Sequence, residues 1–237
     1  MKYGVKDLVK RYGNLEVLDR VSIQFEENKI TCILGPSGCG KTTLLNIIVG
    51  SIAQDDGEVI GFDKEDMGFV YQEDRLIEWK NVRDNIEFVL RDRMDRKTRE
   101  EIIYRYLKLV GLYEYANYYP TQLSGGMRQR ISILRAFAYP SKILIMDEPF
   151  KSLDINSKQT IMEFTLKLKE LKGKTCILVT HDIEEALTLG DNIVILSKRP
   201  ARVKRIVENL HIADDNEDNA KGYRSTLRGL IEGEFID

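Results

Sequence analysis

Four short runs break the otherwise mixed pattern of apolar and polar positions: Ile30–Leu34, Ile143–Met146, Cys176–Val179 and Ile193–Leu196. Each is apolar or β-branched throughout, which predicts strands buried on both faces, as in a parallel sheet. Between them the spacing turns helical. A helix is expected over 43–49, with Gly50 placed to cap its C-terminus, and another over 182–189, stopped by Gly190. Strands alternating with helices predict an α/β fold. Residues 81–123 differ: Arg, Glu, Leu and Tyr recur at helical spacing with no buried strand among them, predicting an inserted helical subdomain. Residues 213–218 are polar and acidic, and predict a solvated loop before a short terminal helix in a C-terminal tail over 213–237. No repeat, low-complexity tract or flexible linker divides the chain, so 1–237 is expected to be one domain carrying an insertion.

Composition narrows the partners. With 237 residues, 43% hydrophobic and 31% charged, the chain can bury a substantial core. Its 36 Lys+Arg against 38 Asp+Glu give a net charge of −2, which argues against a broad basic surface and against nucleic acid as a partner. The mean hydropathy of −0.31 and the lack of an apolar run of membrane-spanning length predict no membrane span. Met1 leads directly into KYGVKDLVKRYG, so no secretory leader is expected. Three cysteines far apart, Cys32, Cys39 and Cys176, suit reduced thiols in a cytosolic protein.

The chemistry begins where the first apolar run ends. Gly35-Pro36-Ser37-Gly38-Cys39-Gly40-Lys41-Thr42 fits G-x-x-x-x-G-K-[ST] between a predicted strand and a predicted helix. Glycines let successive backbone N–H groups turn inward around a polyphosphate, and the following helix start adds its positive end. Lys41 is expected to reach the β- and γ-phosphates and the Thr42 hydroxyl to bind Mg²⁺. Cys39 occupies a variable loop position and reads as incidental. The run Ile143–Met146 delivers Asp147-Glu148-Pro149 at its C-terminal end, the sheet edge where ligands sit. Asp147 is expected in the Mg²⁺ shell, with Glu148 polarising the attacking water. Together these motifs predict a nucleoside triphosphatase.

A second anion-binding helix start follows at Leu123-Ser124-Gly125-Gly126-Met127-Arg128-Gln129-Arg130, with Ser124 as N-cap and a helix running to about Tyr139. One domain rarely needs two sites for one γ-phosphate. A symmetric dimer, in which each copy covers its partner's nucleotide, resolves this.

LSGGMRQR resembles the signature of the ATP-binding cassette (ABC) superfamily, and the family's other markers stand around it in order. Tyr12 resembles the aromatic that stacks on adenine. Gln72, in Phe69-Val70-Tyr71-Gln72, resembles the glutamine that senses Mg²⁺ and the membrane partner. Ser152-Leu153-Asp154 resembles the loop that crosses the dimer, and His181 the switch histidine at the γ-phosphate. His211 matches no motif and reads as surface. The resemblance covers 1 to about 210. It implies a P-loop (RecA-like) core with a small antiparallel β subdomain and the inserted helical subdomain, ATP and Mg²⁺ as cofactors, and a head-to-tail dimer around two nucleotides. Its implied catalytic set is Glu148, His181 and Gln72, with Thr42, Gln72 and Asp147 at the metal. The nucleotide would be held by Tyr12, Gly35, Pro36, Ser37, Gly38, Cys39, Gly40, Lys41, Thr42, Thr43, Ser124, Gly125, Gly126 and Asp154.

The subfamily also shows. Asp147-Glu148-Pro149-Phe150 resembles the importer version of that segment, and Leu76-Ile77-Glu78-Trp79-Lys80-Asn81-Val82-Arg83-Asp84-Asn85 resembles the L-L-P-W-x-x-V-x-x-N stretch of nitrate, sulfonate and taurine importers. Glu78 stands for the usual proline and Lys151 for the usual glycine. The resemblance implies an importer ATPase on the cytoplasmic face of the membrane. It would be held there by a separate permease whose short helix enters a groove at Leu76 and Trp79, and would serve a solute-binding protein indirectly. The alternatives are a cassette powering a non-import membrane complex, for cell-wall regulation or lipid extraction, and a DNA-repair or ribosome-associated cassette. The short gap between Gln72 and Ser124 and the single cassette speak against the last two.

Overall fold

The computed structural model describes residues 2–151 and 153–209, with Gly222, Ser225, Thr226, Arg228 and Gly229 beyond them. Ser152, His211 and the 213–218 segment lie outside the described residues. In chain order the elements are β1 (Tyr3–Tyr12), β2 (Leu15–Phe25), β3 (Ile30–Leu34), α1 (Lys41–Ile48), β4 (Asp56–Ile60), β5 (Met67–Val70), α2 (Val82–Leu90), α3 (Arg96–Leu109), α4 (Gly125–Ala138), β6 (Ile143–Asp147), α5 (Ile155–Lys172), β7 (Thr175–Thr180), α6 (Ile183–Leu189), β8 (Asn192–Leu196) and β9 (Val203–Glu208). They form two compact units, Met1–Glu65 with Thr175–Asp237, and Asp66–Lys174.

In the first unit β7, β3 and β8 run parallel, with every residue of the three buried. A strand covered on both faces loses the polar alternation of a half-exposed one, so these appear in the sequence as unbroken apolar runs. Strand β9 closes one side antiparallel to β8. The register carries function: Leu34 is paired with Thr180, so Gly35 and His181 leave adjacent strands at the same carboxyl edge. A separate antiparallel sheet, β2-β1-β4, is irregular. Its register slips between Val5 and Leu8, and Asp7 and Arg20 take left-handed backbone conformations at φ 50° and 51°. Each bulge shifts the inward-facing phase by one position.

In the second unit β5 and β6 pair in parallel, Met67 with Ile143 through Val70 with Met146. Gln72 and Glu148 therefore also leave neighbouring strand ends. Residues 81–123 fold into α2, α3 and short turns, with no strand among them. Each long helix begins with a side-chain cap: Asn81 for α2, Asp95 for α3, Ser124 for α4 and Asp154 for α5. The boundaries expected for the first helix move. It opens at Lys41 rather than 43, and it ends at Ile48, with Gly50 at φ 68° in the turn after it.

Candidate functional site

Lys41 and the glycines around it shape the first half of the site. Gly38 and Gly40 hold φ 77° and 127°, values a side chain rarely adopts, and a Cβ on Gly40 would lie 2.9 Å from Val17 Cγ1. The Lys41 side chain is buried, its ammonium donating to the carbonyls of Gly35 at 2.7 Å and Pro36 at 3.1 Å. These bonds fix the cation inside the loop's curve. Ser37 and Thr42 are exposed, and Thr43 is half-buried. Cys39 is a packing residue: its Sγ fills the space where a Cβ on Gly35 would fall, at 2.9 Å, and burial pushes its thiol pKa up. Arg199, which no motif singles out, donates to the Gly38 carbonyl and braces the loop from the β8–β9 connection. Tyr12, at the end of β1, is 47% exposed, with the Lys10 ammonium 5.5 Å from its ring centre.

On the neighbouring strand end, His181 is exposed while its surroundings are pinned. The buried Thr180 hydroxyl accepts from the Asp182 N–H at 3.0 Å and donates to the buried Glu185 carboxylate at 2.5 Å. Asp182 in turn caps α6 by accepting from Glu184 and Glu185 N–H groups. Thr180→Val removes the donor offered to Glu185 and the acceptor for the Asp182 N–H. We expect it to cost about 1–3 kcal/mol in urea unfolding, with Thr180→Ser near wild type.

In the second unit, Asp147 and Glu148 leave β6 half-buried. Glu148 has φ 45°, a left-handed backbone for a non-glycine residue, the kind of strain that collects at functional sites. Its Oε2 pairs with the Lys151 ammonium at 2.7 Å. The buried Gln129 amide, one turn into α4, donates to the Pro149 carbonyl at 2.6 Å. Arg128 pairs with Asp74 at 2.9 Å, and Arg135 donates to the carbonyls of Asp74 and Arg75. Helix α4 therefore holds both the segment after Gln72 and the turn after Glu148. Gln72 itself is exposed and lines an open cleft of about 420 Å³ with Leu76, Gly125, Arg128 and Pro149.

At the start of α4, Ser124 Oγ accepts from the Met127 N–H, and a Cβ on Gly126 would come 3.2 Å from Ser157 Oγ. Gly125 is exposed. Asp154 caps α5; hydrogen bonds from Ser157, through side chain and backbone, hold its carboxyl pKa below the usual range. In the 76–85 segment Leu76 is largely buried and contributes only to the wall of the cleft beside Gln72, while Trp79, at 80% exposure, projects outward. The cause is Asn85. Fully buried, it donates to the carbonyls of Ile77, Lys80 and Asn81 and accepts from the Ile77 N–H, closing a loop with the indole outside.

The Thr42 hydroxyl in the first unit and the Asp147 carboxylate in the second are each hard-oxygen donors of the kind magnesium accepts. Among the described residues no cluster of three or more His, Cys, Asp or Glu is set to hold a metal.

A glycine loop gripping a buried lysine between a parallel strand and a helix defines a P-loop nucleoside triphosphatase. Residues 18–151 match the ABC transporter family model, and the chain belongs to that family as an ATP-binding ATPase. It is 39% identical over 219 residues to an uncharacterized ABC transporter ATP-binding protein of Methanocaldococcus jannaschii, covering 88% of this chain and 82% of the relative. It is also 39% identical over 206 residues to the taurine import ATP-binding protein TauB of Escherichia coli O157:H7, covering 84% and 81%. Among solved structures it is similar to a bacterial ABC transporter cassette in dimeric form, with TM-score 0.73 and 33% identity over 87% of this chain and 98% of that one. A post-hydrolysis dimer of that cassette bound to ADP and Pi gives TM-score 0.73 at 31% identity. Among the described residues no helix is long and apolar enough to cross a membrane.

Proposed function

We propose that this chain is the ATPase subunit of an importer for a small solute of the nitrate, sulfonate or taurine type. It would be held at the cytoplasmic face of the membrane by a separate permease and supplied indirectly by a solute-binding protein. The observation that carries this reading is Trp79, presented outward on a loop that buried Asn85 closes. An exposed indole on a rigid loop is an anchor for a partner surface. The printed name of the taurine import relative supports the same class.

In this reading two copies close head to tail on two ATP molecules. Tyr12 stacks on the adenine, and the Gly35–Thr43 loop with Lys41 grips the phosphates. Ser124, Gly125 and Gly126 of the other copy cover the γ-phosphate, with Asp154 at the crossing. Thr42, Asp147 and Gln72 would hold Mg²⁺, which would supply positive charge to offset that developing on the phosphates. Glu148 takes a proton from the attacking water as its oxygen bonds to the γ-phosphorus and the bridging P–O bond breaks, giving ADP and phosphate. His181 donates to a γ-phosphate oxygen. Domains follow the same reading: one ATPase domain with 81–123 as its inserted helical subdomain, which closure of the dimer would draw inward, and the permease helix docking beside it at Leu76 and Trp79.

Co-expression with a multi-span permease tests it. The complex is expected to co-purify, Trp79→Ala to weaken it at least tenfold, and added solute-binding protein with its ligand to stimulate ATP turnover. A partner bearing a large extracytoplasmic domain and no transport path would favour the mechanical alternative.

A further inference from the structure

Glu148 lies at the head of a tight turn. The Lys151 N–H donates to its carbonyl at 3.3 Å, and the Lys151 ammonium folds back to pair with its Oε2 at 2.7 Å. The two ends of that pair differ: the glutamate side chain is 14% exposed and the lysine 46%. The turn's backbone is clamped from α4 through the Gln129 bond to the Pro149 carbonyl. The lysine side chain, 46% exposed, makes this pair from a flexible four-carbon stem.

We infer that Lys151 is a positioning residue that restrains the base: its ammonium holds the carboxylate oxygen, and the water to be activated takes that oxygen as the lysine releases it. The inference rests on the reading of Glu148 as the proton acceptor. An ammonium donates and cannot accept, so Lys151 at that position is unable to take the water's proton itself. It competes with the water for the same lone pairs. An ion pair whose cationic end is 46% exposed is a weak hold, and dissolved salt weakens it further. The restraint is therefore a modest brake on the chemical step.

Single-turnover hydrolysis of MgATP by the full chain, at saturating nucleotide, tests it. Lys151→Gln is expected to speed the step by about 1.5- to 5-fold, roughly 0.2–1 kcal/mol at the usual conversion, with ATP affinity unchanged. Lys151→Arg, which keeps the cation, should match wild type. Raising the salt concentration should lift the wild-type rate toward that of Lys151→Gln and leave Lys151→Gln level. A Lys151→Gln rate at or below wild type, or a Lys151→Arg rate as fast as Lys151→Gln, overturns the inference. Glu148→Gln run alongside separates the two levels. If it hydrolyses at the parental rate, the base is misassigned. If it is inactive while Lys151→Gln changes nothing, only the role of the lysine fails.

Discussion

Glu148→Gln is expected to lower ATP turnover by roughly two to four orders of magnitude, the range that a positioned general base contributes, while ATP still binds. The amide has the shape of the carboxylate, so the left-handed turn at φ 45° and the Gln129 clamp on Pro149 persist. What disappears is the proton acceptor. ATP added to the variant should then accumulate a long-lived dimer, seen as a shift in size-exclusion elution that the parent shows only transiently. Phosphate release measured in steady state gives the activity. A variant that hydrolyses normally would refute the assignment, whereas loss of ATP binding along with activity would point to a collapsed turn. Because the carboxamide also gives up the Lys151 ion pair, the loss of rate should hold at low and high salt alike.

The second large effect concerns Lys41. Its ammonium makes two carbonyl hydrogen bonds within the loop, at 2.7 and 3.1 Å, and is 5% exposed. Lys41→Ala removes the one buried cation of the phosphate loop and the donor that holds the Gly35 and Pro36 carbonyls inward. A charge-assisted hydrogen bond is worth about 1.5–3 kcal/mol, so losing the contacts to the phosphates should weaken ATP binding on the order of 100-fold. Calorimetric titration with ATP measures this directly. Lys41→Met keeps most of the stem's packing without the charge. If charge dominates, Met and Ala should bind equally weakly; a Met variant that binds like the parent would show that the stem, not the cation, shapes the loop. Melting temperatures serve as the control, since Gly40 still stands at the N-cap of α1.

These contrasts show what the sequence could and could not carry. Strands β3, β7 and β8 were legible because burial on both faces writes itself as a run of apolar letters. Strands β1 and β2 were not, because the bulges at Asp7 and Arg20 break the alternation on which a half-buried strand depends. Helix α5 carried the Asp154 cap and Gly173 at φ 57°, yet its buried positions, such as Ile161, Phe164 and Leu168, are diluted by lysines and glutamates. Site motifs were readable wherever chemistry constrains neighbours in the chain, as in Gly35–Thr42. Groups that act from a distance were silent: Arg199 reaches Gly38 across 161 positions, and Arg128 meets Asp74 across 54. The outward setting of Trp79 was silent for a related reason: the hydrogen bonds of Asn85 that close its loop are not revealed by spacing alone.

The three cysteines, all buried and none in a disulfide, have a practical consequence. Burial drives the Cys32 thiol well above its ordinary pKa and raises Cys39 as well, so at neutral pH neither offers a thiolate to an alkylating dye. The native chain is thus nearly dark to maleimide chemistry. A single cysteine placed in the exposed loop at Trp79 or beside Tyr12 would carry a fluorophore alone, without first stripping the protein of its own thiols. Any dye that did enter at Cys39 would report the phosphate loop coming open.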